Sequence, residues 1–96
     1  MLRITLENGA DVATFRLEGK LTGPWVGEFE RSWHEFKDKA PSTPVNVDLC
    51  KVSFIDSEGK RLLSQMHRQG VELHAAHLMT KYIVDEVTGR HNGMGG

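Results

Sequence analysis

The residues best suited to chemistry are three polar neighbours, Asp56, Ser57 and Glu58, at the head of an amphipathic run. Ser57 is a favoured helix N-cap type, because its hydroxyl accepts a hydrogen bond from a backbone N–H of the first turn. The same hydroxyl is a candidate phosphoacceptor. A phosphate there would meet free N–H groups and the positive end of the helix dipole, and would add about two negative charges to the surface. Capping alone accounts for a serine at this place, so residue type leaves both roles open. Asp48 and Asp56 suggest another chemistry. If they meet at the carboxyl end of one strand, where α/β folds tend to place sites, they and Glu58 form an acidic pocket for magnesium. The simpler expectation is that Asp56 caps or orients the loop and Asp48 is solvated.

The other reactive residues lack partners. His74 and His77 fall on opposite faces of a strand, and His34, His67 and His91 are scattered. No Cys/His pattern has zinc spacing. Cys50 has no nearby histidine to activate it and reads as a small, partly buried residue. No glycine-rich phosphate loop is present. No metal, cofactor or catalytic residue is therefore expected, and the chain reads as a non-enzyme.

The elements that position Ser57 follow from periodicity. Val45, Val47 and Leu49 alternate with Asn46, Asp48 and Cys50, which predicts a strand with one buried face. A short connection follows, in which Val52, Phe54 and Ile55 carry the chain inward. In the helix opened by Ser57, Gly59, Leu62, Leu63 and Met66 share one arc. Lys60, Arg61, Ser64, Gln65 and Arg68 share the other, and Gly70 is placed to stop the helix. Upstream, Leu2, Ile4 and Leu6 mark a first strand. Asn8-Gly9 marks a turn, and Ala13, Phe15 and Leu17 mark an antiparallel second strand that Gly19 breaks. Pro24 suits the first turn of a helix with Thr22 or Gly23 as cap. Trp25, Val26, Phe29, Trp33 and Phe36 form its apolar stripe, which makes Trp33 a core residue. Pro41 and Pro44 close the loop that follows. Downstream, Val71, Leu73 and Ala75 predict a fourth strand. Met79, Tyr82, Ile83 and Val87 mark a third helix, which Gly89 would stop.

All four strands alternate, whereas parallel strands covered on both faces read as continuous apolar runs. The helices are therefore expected on one face. Right-handed crossovers to that face carry the sheet in one direction. The expected fold is α/β in two layers: a four-stranded mixed sheet of order 1-2-3-4, its first strand antiparallel, with three helices on one face. The open face would show Arg3, Thr5, Glu7, Thr14, Arg16, Glu18, Asn46, Asp48, Glu72 and His74, partly covered by a loop, the tail or a second copy.

The segment VDLCKVSFIDSEG resembles the signature of the STAS domain, the anti-anti-sigma factor family: an aliphatic strand ending in Asp-Leu, a connection, then Asp-Ser and a glycine opening a helix. LEGKLT before the first helix and GVELHAA after the second agree with it, over roughly residues 10 to 89. The resemblance implies a bacterial, non-enzymatic regulator of transcription that antagonises an anti-sigma factor. It implies that Ser57 is the serine phosphorylated by an anti-sigma kinase. The partner surface it implies comprises Lys20, Thr22, Asp56, Ser57, Glu58, Lys60 and Arg61. This chain departs from the family in having Glu58 after the serine, and Gly19-Lys20-Leu21-Thr22 where Gly-Glu-Leu-Asp is usual. An alternative within the family is an accessory subunit docking on the ATPase of a phospholipid-transport ABC complex. A metal-dependent enzyme using Asp48 and Asp56 is the third reading.

Size and charge narrow the classes further. At 96 residues the chain is expected to be one domain over residues 1 to 90, followed by a flexible glycine-rich tail over 91 to 96. Twelve basic residues nearly balance thirteen acidic ones, with no polybasic run to bind nucleic acid or an anionic membrane. A single cysteine fits the reducing cytoplasm. No apolar run is long enough for membrane insertion, and no signal peptide opens the chain. The expected partner is a protein, with a homodimer as a further option.

Overall fold

The computed structural model describes residues 1–89. The glycine-rich tail expected over 91 to 96 lies outside the described residues. The chain runs β1 (Leu2–Asn8), β2 (Ala13–Leu21), α1 (Pro24–Lys39), β3 (Val45–Ile55), α2 (Ser57–Arg68), β4 (Glu72–His74) and α3 (Leu78–Thr88). The sheet order is β1-β2-β3-β4. β1 pairs antiparallel with β2, and the two remaining pairings are parallel.

The alternation in sequence becomes two faces of one sheet. Leu2, Phe15, Leu17, Val47, Leu49 and Leu73 are buried beneath the helices. Arg3, Thr5, Glu7, Glu72 and His74 stay exposed on the other face. Helix α1 buries Val26, Phe29, Trp33 and Phe36. Phe15 meets Phe29 and Phe36 edge to face, at centroid distances of 5.5 and 6.1 Å, a geometry suited to the ring quadrupoles. Trp33 is fully buried, as its stripe requires, but its indole N–H has no acceptor among the described residues. Helix α2 buries Gly59, Leu62, Leu63 and Met66.

Three expectations need correction. Gly19 does not break β2, which continues to Leu21; Gly19 sits inside the strand with φ 115°, next to a change of register. The connection expected after Cys50 is strand. Register passes from Arg16↔Asp48 to Glu18↔Lys51, and from Gly19↔Val52 to Lys20↔Phe54, so β3 carries an extra residue at each step. Each such bulge reverses the inward-outward alternation. Val52 and Ile55 return to the core, while Phe54, expected inside, is 54% exposed.

The third correction concerns α3. Its stripe was expected at Met79, Tyr82, Ile83 and Val87. Met79 and Tyr82 instead face solvent, as does Leu78, and Ile83 and Val87 are half-buried. The anchor is Thr80, buried with its hydroxyl donating to the Val52 carbonyl at 2.8 Å, and Val84 one turn later. β4 pairs with β3 only from Asn46 to Asp48. The head of α3 thus satisfies the β3 carbonyl at Val52, beyond the stretch that β4 pairs, and Thr80 and Val84 share the inward side of the helix.

Candidate functional site

At the carboxyl ends of β2 and β3 the chain forms a clamp centred on Asp56. Its backbone is extended, with φ −86° and ψ −177°, and it is the N-cap of α2. Oδ1 accepts the Gly59 N–H at 2.8 Å. Oδ2 accepts the Gly23 N–H, from the β2–α1 connection, at 2.9 Å. The Asp56 N–H donates to the Leu21 carbonyl at 3.2 Å. One side chain thus caps a helix and ties two loops together. Gly23 has φ 56°, a conformation that favours glycine. A Cβ on Gly59 would lie 2.7 Å from the Leu21 carbonyl oxygen and 2.9 Å from Ile55 Cγ2, so the close approach of α2 to the sheet requires glycine. The N–H of Gly23, then that of Gly59, hold the Asp56 carboxyl below its ordinary pKa against the opposing effect of burial.

Ser57 is therefore not the cap. It is the first residue of α2, exposed, and its hydroxyl has no partner among the described residues. Capping cannot account for its hydroxyl, because Asp56 already does that work. The neighbouring charges are engaged. Arg61 donates from Nη2 and Nε to Glu58 Oε1 at 2.9 and 3.1 Å. Lys60 Nζ lies 2.7 Å from Glu86 Oε1, tying α2 to α3. Lys20 is exposed and Thr22 half-buried on the segment that the Gly23–Asp56 bond draws beside Ser57.

Asp48 and Asp56 are not brought together. Because β3 is continuous from Val45 to Ile55, they are separated by on the order of 20 Å of extended chain. Asp48 lies on the open face. Its Oδ2 accepts from Arg16 Nε at 3.1 Å and its Oδ1 from the Cys50 N–H at 2.9 Å. Arg16 also reaches Glu7, with Nη1 2.6 Å from Oε2. The Cys50 N–H first, and Arg16 after it, lower the Asp48 pKa. In turn Asp48 raises that of the Cys50 thiol, the opposite of what a nucleophilic thiolate needs. Among the described residues no three His, Cys, Asp or Glu side chains gather as a metal site. The magnesium pocket built on these two aspartates is thereby excluded on geometry.

The sequence reading missed the Gly23–Asp56 bond. Its only signals were a glycine before Pro24 and an aspartate at the mouth of the helix. The anchoring of α3 by Thr80 had none, since a threonine within an apolar run reads as its polar side.

No model of a known protein family matches the chain, and no curated protein matches it. A solved structure does. An uncharacterized protein of the DUF3478 family from Shewanella loihica PV-4, described as having a SpoIIAA-like fold, superposes with a TM-score of 0.58. The match spans 96% of this chain and 81% of that one, at 14% identity. The likeness establishes a SpoIIAA-like α/β fold, that of the STAS domain. Among the described residues no helix is long and apolar enough to cross a membrane.

Proposed function

We propose that this chain is a non-enzymatic regulatory domain that binds a protein partner around the Asp56 clamp, with Ser57 as a phosphoacceptor. The observation that carries this reading is the division of labour at the head of α2. Asp56 caps the helix and holds the loops, so the Ser57 hydroxyl is exposed and released from any structural duty. The first N–H groups of a helix lack helical acceptors, and the dipole favours added negative charge there. A phosphate on Ser57 would be tolerated by the fold while adding about two negative charges to the surface that a partner meets. The Arg61–Glu58 pair offsets the carboxylate beside Ser57. A kinase-like anti-sigma factor is the partner class that the Asp-Ser-Glu-Gly segment suggests.

The test has two parts. Mass spectrometry of the protein isolated from its source cells should find Ser57 phosphorylated in a fraction of molecules. Capture with parent, Ser57→Ala and Ser57→Asp baits should then recover the same partner with parent and Ser57→Ala but not with Ser57→Asp. Equal recovery by all three baits, with no phosphate on Ser57, contradicts the switch. Such a result would favour a second reading, constitutive docking on a transporter ATPase. Its support is the exposed apolar group Leu78, Met79 and Tyr82 on α3, a surface whose attraction does not depend on charge at Ser57.

A further inference from the structure

The open edge of β1 carries a self-complementary pattern that the clamp does not explain. β1 is the outer strand of the sheet. It is a seven-residue strand without proline, and its pairing with β2 has continuous register. The Lys20 N–H donates to the Met1 carbonyl and the Gly9 N–H to the Val12 carbonyl. In the register of the hairpin these mark hydrogen-bonded pairs at residues 1 and 9. Alternation then directs the backbone groups of Arg3, Thr5 and Glu7 toward β2, and those of Leu2, Ile4, Leu6 and Asn8 outward.

An edge of this kind can extend its sheet through a second antiparallel β1. Only registers that pair even-numbered residues match the outward groups. Among these, the one centred on Thr5 uses all four outward residues, setting Leu2 against Asn8 and Ile4 against Leu6. It alone places Arg3 opposite Glu7 of the other copy, twice, on the open face. On the helix face it brings Leu6, 42% exposed, and half-buried Ile4 against their counterparts. Both line a groove of about 440 Å³ that Phe15 and Phe36 share with Glu28, Ser32, Glu35 and Lys39 of α1.

We infer that this chain forms a two-fold dimer through antiparallel β1–β1 pairing centred on Thr5, joining two four-stranded sheets into one of eight. The inference is independent of the role proposed for Ser57. Its occupant is a second copy because the charge pattern of β1 is complementary to itself under the two-fold operation.

Charge exchange and cross-linking test it. Opposed like charges across a strand pair are destabilising, so Arg3→Glu and Glu7→Lys should each weaken self-association by about tenfold in sedimentation. Mixed together, the two variants restore both opposite-charge pairs and should form a heterodimer. Glu7→Lys also removes a partner of Arg16, so thermal unfolding of each variant is recorded alongside. An arm that leaves these charges intact is Thr5→Cys in a Cys50→Ser background. Thr5 would form a non-hydrogen-bonded pair with itself, at a Cα separation of about 4.5 Å, within disulfide range. Rapid oxidative cross-linking of Thr5→Cys, and not of Asn8→Cys in the same background, supports the register. A parent protein that stays monomeric at millimolar concentration, a mixture that fails to associate, or cross-linking that is equal at the two positions overturns the inference.

Discussion

Replacing Asp56 by alanine should cost far more stability than replacing Ser57, although serine is as common a helix cap as aspartate. Asp56→Ala removes the acceptor of the Gly59 N–H, a capping loss of about 0.5–2 kcal/mol. It also removes the charged acceptor of the Gly23 N–H. That site is exposed, so water replaces part of the bond and about 1 kcal/mol is a suitable magnitude. The sum is roughly 1.5–3 kcal/mol, a drop in Tm of about 6–24 °C for a domain of this size. Ser57→Ala removes no hydrogen bond and places a better helix former in the first turn, so its change should stay within about 0.5 kcal/mol. Asp56→Asn has one acceptor oxygen for two N–H groups and should fall between them. Urea unfolding monitored by circular dichroism measures all three. A Ser57→Ala loss equal to that of Asp56→Ala would show that the serine hydroxyl caps α2, and the argument that it is free for modification would fail.

Other consequences follow from the packing and the charges. Gly59→Ala, a change that stabilises most helix interiors, should here cost about 1–3 kcal/mol, because its Cβ would press on the Leu21 carbonyl and Ile55; a gain in Tm would refute the close approach. Trp33→Ala should cost about 3–5 kcal/mol, whereas Trp33→Phe, which also removes the orphaned indole N–H, should stay within about 1.5 kcal/mol. Equal losses in the two variants would mean that the ring volume is not what matters. Asp56 and Asp48 both have folded pKa values below their unfolded ones. Their contribution should be complete above the unfolded carboxylate value of about 3.9 and be lost as pH falls through the depressed folded values. Acid titration should therefore show a shallower decline for Asp56→Asn than for the parent below about pH 4, and identical slopes would count against the clamp.

Where one pattern dominated, the sequence was sufficient. Phe29, Trp33 and Phe36 lie on a single helical stripe, and Val45, Val47 and Leu49 on a single strand face; both fix burial without reference to distant residues. The order of the strands followed from alternation shared by all four. The errors arose where tertiary contacts override local period. The two bulges of β3 add residues whose presence depends on pairing with β2, so Phe54 could not be seen to turn outward. The inward side of α3 includes a threonine, Thr80, bonded to the Val52 carbonyl, which spacing does not reveal. At the site, the sequence placed Ser57 at the head of α2 and offered both Ser57 and Asp56 as its cap; the structure selects Asp56. Serine and aspartate both cap well; the Gly59 N–H on Asp56 shows which one caps, and the Gly23 contact, 33 residues away in sequence, holds it there.

The role proposed for Ser57 works through charge rather than through the fold. Its most direct measurement is the dissociation constant of the captured partner for parent, Ser57→Ala and Ser57→Asp, each shown to be folded under the binding conditions. Parent and Ser57→Ala should bind alike, and Ser57→Asp should bind at least tenfold more weakly, about 1.4 kcal/mol, at nearly unchanged stability. Equal affinities for all three folded proteins would contradict the account.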